Sequence, residues 1–386
     1  MSAAVATTGD DVRAIATRAA TSPRVALDVE SNGLFAYKPS LCTVQVAWLE
    51  AGEIAIGILD TMATSATPLA ALTEAGGPTI VLHDLTFDVR LLREHGVVLS
   101  RVRDTSVAAR LLGKKALGLA SLLASELGLQ VDKKLQHHDW AARPLEPVHL
   151  TYLADDVRHL LSLDDSLTDQ VARAGIEAEV DEEVRYKLWS ALEEVVAPPA
   201  YLRVKGLEKL APPSQAIVRR AFLVREELAA REDVPPFHVA GPELLLELAA
   251  RKPTTAAEVR SLAATRGRAR RFADAWARAV TEGLEDGALP LEDSATLRPP
   301  PLDRAESARR RTREERLRRW RKSEAAARGV DEQAVLPGHC VSDLARLGAS
   351  DDDALLAIPG VGAQRVERYG RALLAALTPT SGAESG

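Results

Sequence analysis

No run of about 18 apolar residues occurs in this chain of 386 residues, so the sequence offers no membrane-spanning helix of ordinary length. The N-terminus lacks a basic stretch leading into an apolar one, so no secretory leader is expected and the cytoplasm is the expected compartment. Cysteine is almost missing. Cys42 and Cys340 stand far apart, which argues against a disulfide framework and a cysteine-based zinc site, and both read as buried small apolar residues. A Gly-x-x-x-x-Gly-Lys-Ser/Thr run is also missing, which argues against a P-loop ATPase. Positive charge is in deficit overall, at a net −6, which at first opposes a nucleic-acid ligand. Its distribution reverses that impression. Residues 1–200 hold 18 basic and 28 acidic side chains, whereas residues 201–386 hold 31 and 27. The acidic half suits metal cations, and the basic half suits a phosphate backbone.

Four acids recur in three separated pieces of the first half: Asp28-Val-Glu30, Asp88 and Asp156. Arg24-Val-Ala-Leu-Asp-Val-Glu-Ser-Asn-Gly33 reads as a buried strand running into an Asn-Gly turn. Residues two apart on a strand share a face, so Asp28 and Glu30 can reach one metal. Asp88 falls where the apolar strand at 79–82 gives way to a helix with Phe87, Leu91 and Leu92 on its core side. Tyr152 and Asp156 are four apart in a helical stretch, which stacks a phenol beside a carboxylate. Hydrolysing a phosphodiester near neutral pH calls for divalent cations, and hard cations such as Mg²⁺ and Mn²⁺ take carboxylate oxygens. Any one of these acids alone would read as a solvated charge or helix cap, the reading given to Asp84 and Asp155. Together they specify a two-metal phosphodiester-cleaving site.

The first motif, Asp28-x-Glu30, the second, 83–88, and the third, Tyr152-x-x-x-Asp156, resemble those of ribonuclease D, a DEDD 3′–5′ exonuclease of the tyrosine-bearing subgroup. Asp104-Thr105, 108–112, 117–129, Lys134-Leu-Gln136, Asp139-Trp140 and Arg143-Pro-Leu145 extend the resemblance, which spans most of residues 20–165. Two positions depart from the pattern: Val29, where threonine is common, and Asp84, where a small residue is usual. The resemblance implies two divalent ions, Mg²⁺ or Mn²⁺, held by Asp28, Glu30, Asp88 and Asp156. Asp28, Glu30 and Asp156 would serve the ion carrying the attacking water, and Asp28 the second ion, with Asp88 helping from the outer shell. Tyr152 would orient that water. An ordinary tyrosine ionises near ~10, so orientation fits better than full general-base action.

Strands expected near 25–30, 42–49, 53–58, 79–82 and 101–104 alternate with helices near 10–20, 66–75, 86–95, 105–112 and 117–127. The first three strands are too closely joined for crossover helices and should form an antiparallel meander. The expectation is an α/β mixed sheet flanked by helices, the ribonuclease H-like exonuclease fold, over 1–200. All-α bundles should follow at 205–288 and 309–380, with a proline-bearing linker across 289–308.

The two helical blocks share an order of features that suggests a duplicated module. The second carries Ile358-Pro-Gly-Val-Gly-Ala-Gln-Arg-Val-Glu-Arg-Tyr-Gly370. Both resemble the helicase and ribonuclease D C-terminal (HRDC) domain, which implies binding of nucleic acid or partners. Pro359-Gly-Val-Gly362 reads as a tight turn whose N–H groups either bind a phosphate oxygen or serve only to join two helices. Arg304 to Lys322 holds ten basic residues against three acidic ones, a candidate RNA-backbone track or a solvated face. His137-His138 reads as a surface or loop pair, and Trp140 and Trp276 as packing residues. The expected activity is 3′–5′ exoribonucleolytic release of nucleoside 5′-monophosphates, by a monomer acting on RNA 3′ ends such as transfer RNA precursors. A DNA exonuclease and a non-catalytic RNA-binding protein on the same fold are the alternatives. Four intact acids disfavour the latter, because a protein without catalysis has no use for clustered like charge.

Overall fold

The computed structural model describes residues 4–132, 134–193, 197–298, 303–348 and 350–378. The described chain divides into two compact units. One combines the described residues of Met1–Ser31, Leu41–Glu193 and Leu302–Gly386, and the other those of Asn32–Ser40 and Glu194–Pro301.

The first unit is built on a six-stranded mixed sheet: β1 (Ala4–Ala6), β2 (Arg24–Ser31), β3 (Leu41–Glu50), β4 (Glu53–Asp60), β5 (Thr79–Leu82) and β6 (Val102–Asp104), in the order β1-β4-β3-β2-β5-β6. Strands β2, β3 and β4 form the antiparallel meander expected from their short connections. The β1/β4, β2/β5 and β5/β6 pairs are parallel. Strand β1 was not foreseen, since three residues carry too little periodicity to register. The sheet centre is apolar on both faces, as parallel pairing under helices requires, with Val25, Leu27, Val46 and Leu82 buried on one and Ala26, Ala47, Ile58 and Val81 on the other.

Helices α1 (Gly9–Ala19), α2 (Thr86–Glu94), α3 (Thr105–Leu111), α4 (Leu119–Leu127), α5 (Pro147–Arg158), α6 (Leu160–Ala174) and α7 (Glu177–Leu192) surround the sheet. The helix expected near 66–75 is a 3₁₀ stretch, Thr67–Thr73. Its run is short and has proline in the first turn, where a tighter helix satisfies the few backbone groups available.

The second unit is helical: α8 (Pro212–Glu232), α9 (Pro236–Val239), α10 (Pro242–Arg251), α11 (Ala256–Ser261), α12 (Ala273–Asp286) and α13 (Leu291–Leu297). Its core gathers Leu207, Ile217, Leu245, Leu248, Val259, Trp276 and Val280. Trp276 is the packing residue expected, and its indole N–H donates to the Ala269 carbonyl at 2.9 Å. The stretch read as linker is helical over α13, where the buried Asp293 accepts a hydrogen bond from the Tyr201 hydroxyl; residues 299–302 of that stretch lie outside the described residues. Helices α8 and α12 approach closely at Gly283, where a Cβ would lie 2.5 Å from the Ile217 Cα. Gly283→Ala should therefore destabilise this unit by about 1–3 kcal/mol through overpacking, seen as a lowered unfolding midpoint; an unchanged midpoint would show that the helices part freely.

The chain returns to the first unit through α14 (Arg304–Arg328), α15 (Glu332–Val335), α16 (Gly338–Leu347), α17 (Asp352–Leu356) and α18 (Ala363–Leu377). These helices share a core of Leu317, Leu336, Leu344, Leu355, Tyr369 and Leu373. Cys42 and Cys340 are both free thiols and buried, as their apolar settings suggested. Among the described residues no helix is long and apolar enough to cross a membrane.

Candidate active site

Strand β2 presents Asp28 and Glu30 on one face, while Val29 between them points into the core. The strand is held on both sides, by β3 and β5, with Asp28 opposite Gln45 and Glu30 opposite Thr43. A register irregularity immediately after Glu30 ends the regular pairing there. Helix α5 starts with Pro147 in its first turn and brings Asp156 to the same place. Its first turn is closed by a reciprocal cap between Glu146 and His149. Ligand oxygens of Asp28, Glu30 and Asp156 all lie within 4.8 Å of one another. The distance in sequence is closed by the fold, as the sequence reading required.

These carboxylates are densely walled although each keeps some exposure, and their ionisation shows the strain. Burial pushes Asp28 up to about 7. Burial and then the neighbouring charges of Asp28 and Asp156 push Glu30 up to about 9. Burial, Asp28 and Asp155 push Asp156 up to about 8. A carboxylate trio raised chiefly by burial, with like charge adding to it at Glu30 and Asp156 and with oxygen donors converging, is the donor set a hard divalent ion satisfies.

Asp88 sits in the first turn of α2, buried, and lies outside the group of three that converge within 4.8 Å. It is nevertheless held well above its ordinary value by burial and by the charges of Asp28, Asp104, Asp84 and Glu30. Tyr152 lies one turn before Asp156. Burial and the charges of Asp156, Glu30 and Asp28 raise its phenol beyond the ordinary tyrosine range, so it stays protonated. Its ring leans on Trp140, with centroids 5.6 Å apart, and Trp140 meets His138 edge-on at 4.9 Å. His138 is thereby part of an aromatic packing cluster with His149, in keeping with a non-metal reading.

Two supports of the site carry roles that the sequence did not assign. Asp104 accepts from the backbone N–H groups of Asp84 and Leu85, which fixes the turn that launches α2 and Asp88. It also caps α3 through the N–H groups of Ser106 and Val107. Lys187 on α7 reaches Asp84 at 2.7 Å and Asp104 at 3.1 Å. Burial alone would raise Asp104, but Lys187 and these hydrogen bonds outweigh it and hold its carboxyl below the usual range. Asp104 was visible only as part of the family resemblance. Lys187 lies 99 positions from Asp88 and has no motif of its own. Asp84, read as a solvated charge, is an exposed ion-pair partner held at φ +64°. Asp155 is likewise paired, with Arg158.

The basic helix α14 is partly neutralised within itself. Arg309 and Arg313 pair with Glu306, and Arg318 pairs with Glu314. Arg321 is buried and donates to the Glu332 carbonyl. Arg304, Arg311, Arg319 and Lys322 are exposed, with no ion pair among the described residues.

Comparison with known proteins gives the same picture. Residues 4–172 match the 3′–5′ exonuclease family, and residues 214–280 and 311–377 each match the HRDC domain. A structure from Bifidobacterium adolescentis superposes with a TM-score of 0.78 at 25% identity, covering 97% of this chain and 96% of that one. Escherichia coli RNase D shares the fold with a TM-score of 0.70 at 21% identity, covering 98% of this chain and 99% of its own. Ribonuclease D of Gluconacetobacter diazotrophicus is 31% identical over 76% of both chains. With similarity of that degree over most of both sequences, and with an exonuclease segment followed by two HRDC segments in this chain, the chain belongs to the ribonuclease D family and is a 3′–5′ exoribonuclease.

Proposed function

We propose that the chain trims the 3′ ends of structured RNA, transfer RNA precursors in particular, using two divalent ions at the Asp28, Glu30, Asp88 and Asp156 group. The observation that carries this is the convergence of carboxylate oxygens of Asp28, Glu30 and Asp156 within 4.8 Å of one another. The E. coli protein of the same fold is described as an exoribonuclease involved in structured RNA processing. Divalent ions, when bound, supply the charge that activates water and stabilises the departing 3′ oxygen.

The chain's own groups do the rest. Asp28, Glu30 and Asp156 would hold the ions. Asp88 adds charge from the base of α2, while Asp104 and Lys187 keep that turn in place. The Tyr152 phenol remains protonated and donates a hydrogen bond that orients the attacking water, its ring angle set by Trp140. The products are nucleoside 5′-monophosphates. The exonuclease domain takes residues 1–200, and the helical domains at 205–288 and 309–380, joined across 289–308, add affinity for RNA. The exposed cations of α14 contact the phosphate backbone. The working form is a monomer.

The test is a rate comparison with three substrates: a transfer RNA with a 3′ extension, an unstructured RNA and a DNA of the same sequence. The proposal expects 3′ shortening that is fastest on the extended transfer RNA and slowest on DNA; a preference for DNA would overturn it. Tyr152→Phe should lower kcat by about 10²–10⁴-fold with KM little changed, measured with the same extended transfer RNA. A full-rate Phe variant would remove the phenol from the chemistry.

A further inference from the structure

The first turn of α18 already holds an anion, and that anion belongs to the protein. The Gln364 backbone N–H donates to Glu182 Oε1 at 3.1 Å, although the two residues are 182 positions apart. The other oxygen, Oε2, accepts from Arg365 Nη1 at 3.3 Å. Arg365 is fully buried. Its Nε donates to the Ala334 carbonyl at 3.2 Å and Nη1 also to the Gly360 carbonyl at 3.1 Å, while Nη2 is buried without a partner. Glu182 is itself buried. At Gly362 the backbone adopts φ +74°, and a Cβ there would fall on the Glu182 carboxylate. Glycine at this position is what lets the turn close over the acid.

The surroundings reinforce the same contact. Glu179, one turn before Glu182 on α7, pairs with Arg328 and Arg368 of the C-terminal helices. Tyr186, one turn after, stacks flat on His339 with centroids 4.0 Å apart. Residues 179, 182 and 186 share one helical face. Ala334 of α15 packs into the core of the sheet domain itself.

We propose that the Pro359–Gly362 turn is a seat for the chain's own Glu182 carboxylate, docking the C-terminal HRDC domain onto α7, and that it is not a site for RNA phosphate. Helix N-termini bind carboxylate and phosphate by the same means, unpaired N–H groups and positive partial charge, so an occupant already in place excludes the other. Removing one partner also leaves the buried Arg365 uncompensated, which makes the contact costly to break.

The experiment uses the full-length protein with Glu182→Ala, Gly362→Ala and the double substitution. Unfolding midpoints are measured in sodium chloride and in sodium formate at matched ionic strength. Glu182→Ala should unfold several degrees lower in chloride and recover with formate in a saturable way, while wild type responds little. Gly362→Ala should cost much less in the Glu182→Ala background than in wild type, because the backbone penalty is common to both and the collision is not. Additive costs with no formate effect would reduce the turn to a plain joint and overturn the proposal. Should Glu182→Ala fail to fold, Glu182→Gln keeps the shape and removes the charge; its midpoint in chloride should still fall several degrees below wild type, and an unchanged midpoint would overturn the proposal. Hydrogen exchange at residues 358–368 of wild type should not change on adding an RNA oligomer; protection there would place RNA phosphate in the seat and overturn the proposal.

Discussion

Asp28→Asn should abolish RNA trimming while making the metal-free protein harder to unfold. Asp28 is the residue whose charge raises Glu30, Asp88 and Asp156 alike. Losing its carboxylate removes a ligand whose transition-state contribution is several kcal/mol, a rate loss on the order of 10³-fold or more. The opposite sign is expected for stability. In EDTA at pH 8 the variant lacks one of the buried like charges, so its unfolding midpoint should lie above that of wild type. A purely structural aspartate would show the reverse, a lower midpoint with activity reduced in proportion to unfolded protein. Measuring both quantities on one preparation separates the two roles.

The pH dependence of metal-free stability should run opposite to that of an ordinary acid-labile protein over the neutral range. In the folded, metal-free chain Asp28, Asp156 and Glu30 ionise near about 7, about 8 and about 9, whereas in the unfolded chain each ionises near ~4. Folded values above unfolded ones mean that the native state holds protons that the unfolded state has released. The stabilisation is complete below about pH 4 and is lost as pH rises through about 7 to 9. Between those limits the folded form weakens with each step upward in pH. Divalent ions bind only the ionised acids, so added Mn²⁺ should restore stability most strongly at the alkaline end and should expel protons on binding near pH 7. Titration calorimetry of Mn²⁺ in buffers of different ionisation enthalpy reads that release directly. Proton release that vanishes above pH 9 is the expected pattern; release that is zero at pH 7 would contradict it.

The site acids were legible because each occupies a position whose local pattern is strong. Asp28 and Glu30 lie in a strand of buried apolar residues, and Tyr152 and Asp156 in a helix of clear period. The meander was legible for a similar reason, since three close strands leave no room for a crossover. Less was visible where long-range contact decides. Thr67–Thr73 reads as an ordinary helix by composition, yet its shortness and Pro68 favour the tighter 3₁₀ turn. Lys187 acquires its role only because α7 passes behind the turn that carries Asp88. The glycine turn at 359–362 reads by sequence as either a phosphate-binding turn or a plain joint, whereas the carboxylate met by the Gln364 N–H just after it comes from Glu182, and no local pattern in either segment names the other. The division into units was equally non-local: the helical block after residue 302 joins the sheet domain, while the block before it stands with Asn32–Ser40.

The most direct test of the acid cluster follows a 5′-labelled single-stranded RNA on a sequencing gel, with wild type and Asp156→Asn, in Mn²⁺ and in EDTA. The account predicts a ladder that shortens from the 3′ end with wild type in Mn²⁺, releases nucleoside 5′-monophosphates, and disappears with EDTA or with Asp156→Asn. Shortening by Asp156→Asn at the wild-type rate would contradict the placement of catalysis at Asp28, Glu30 and Asp156.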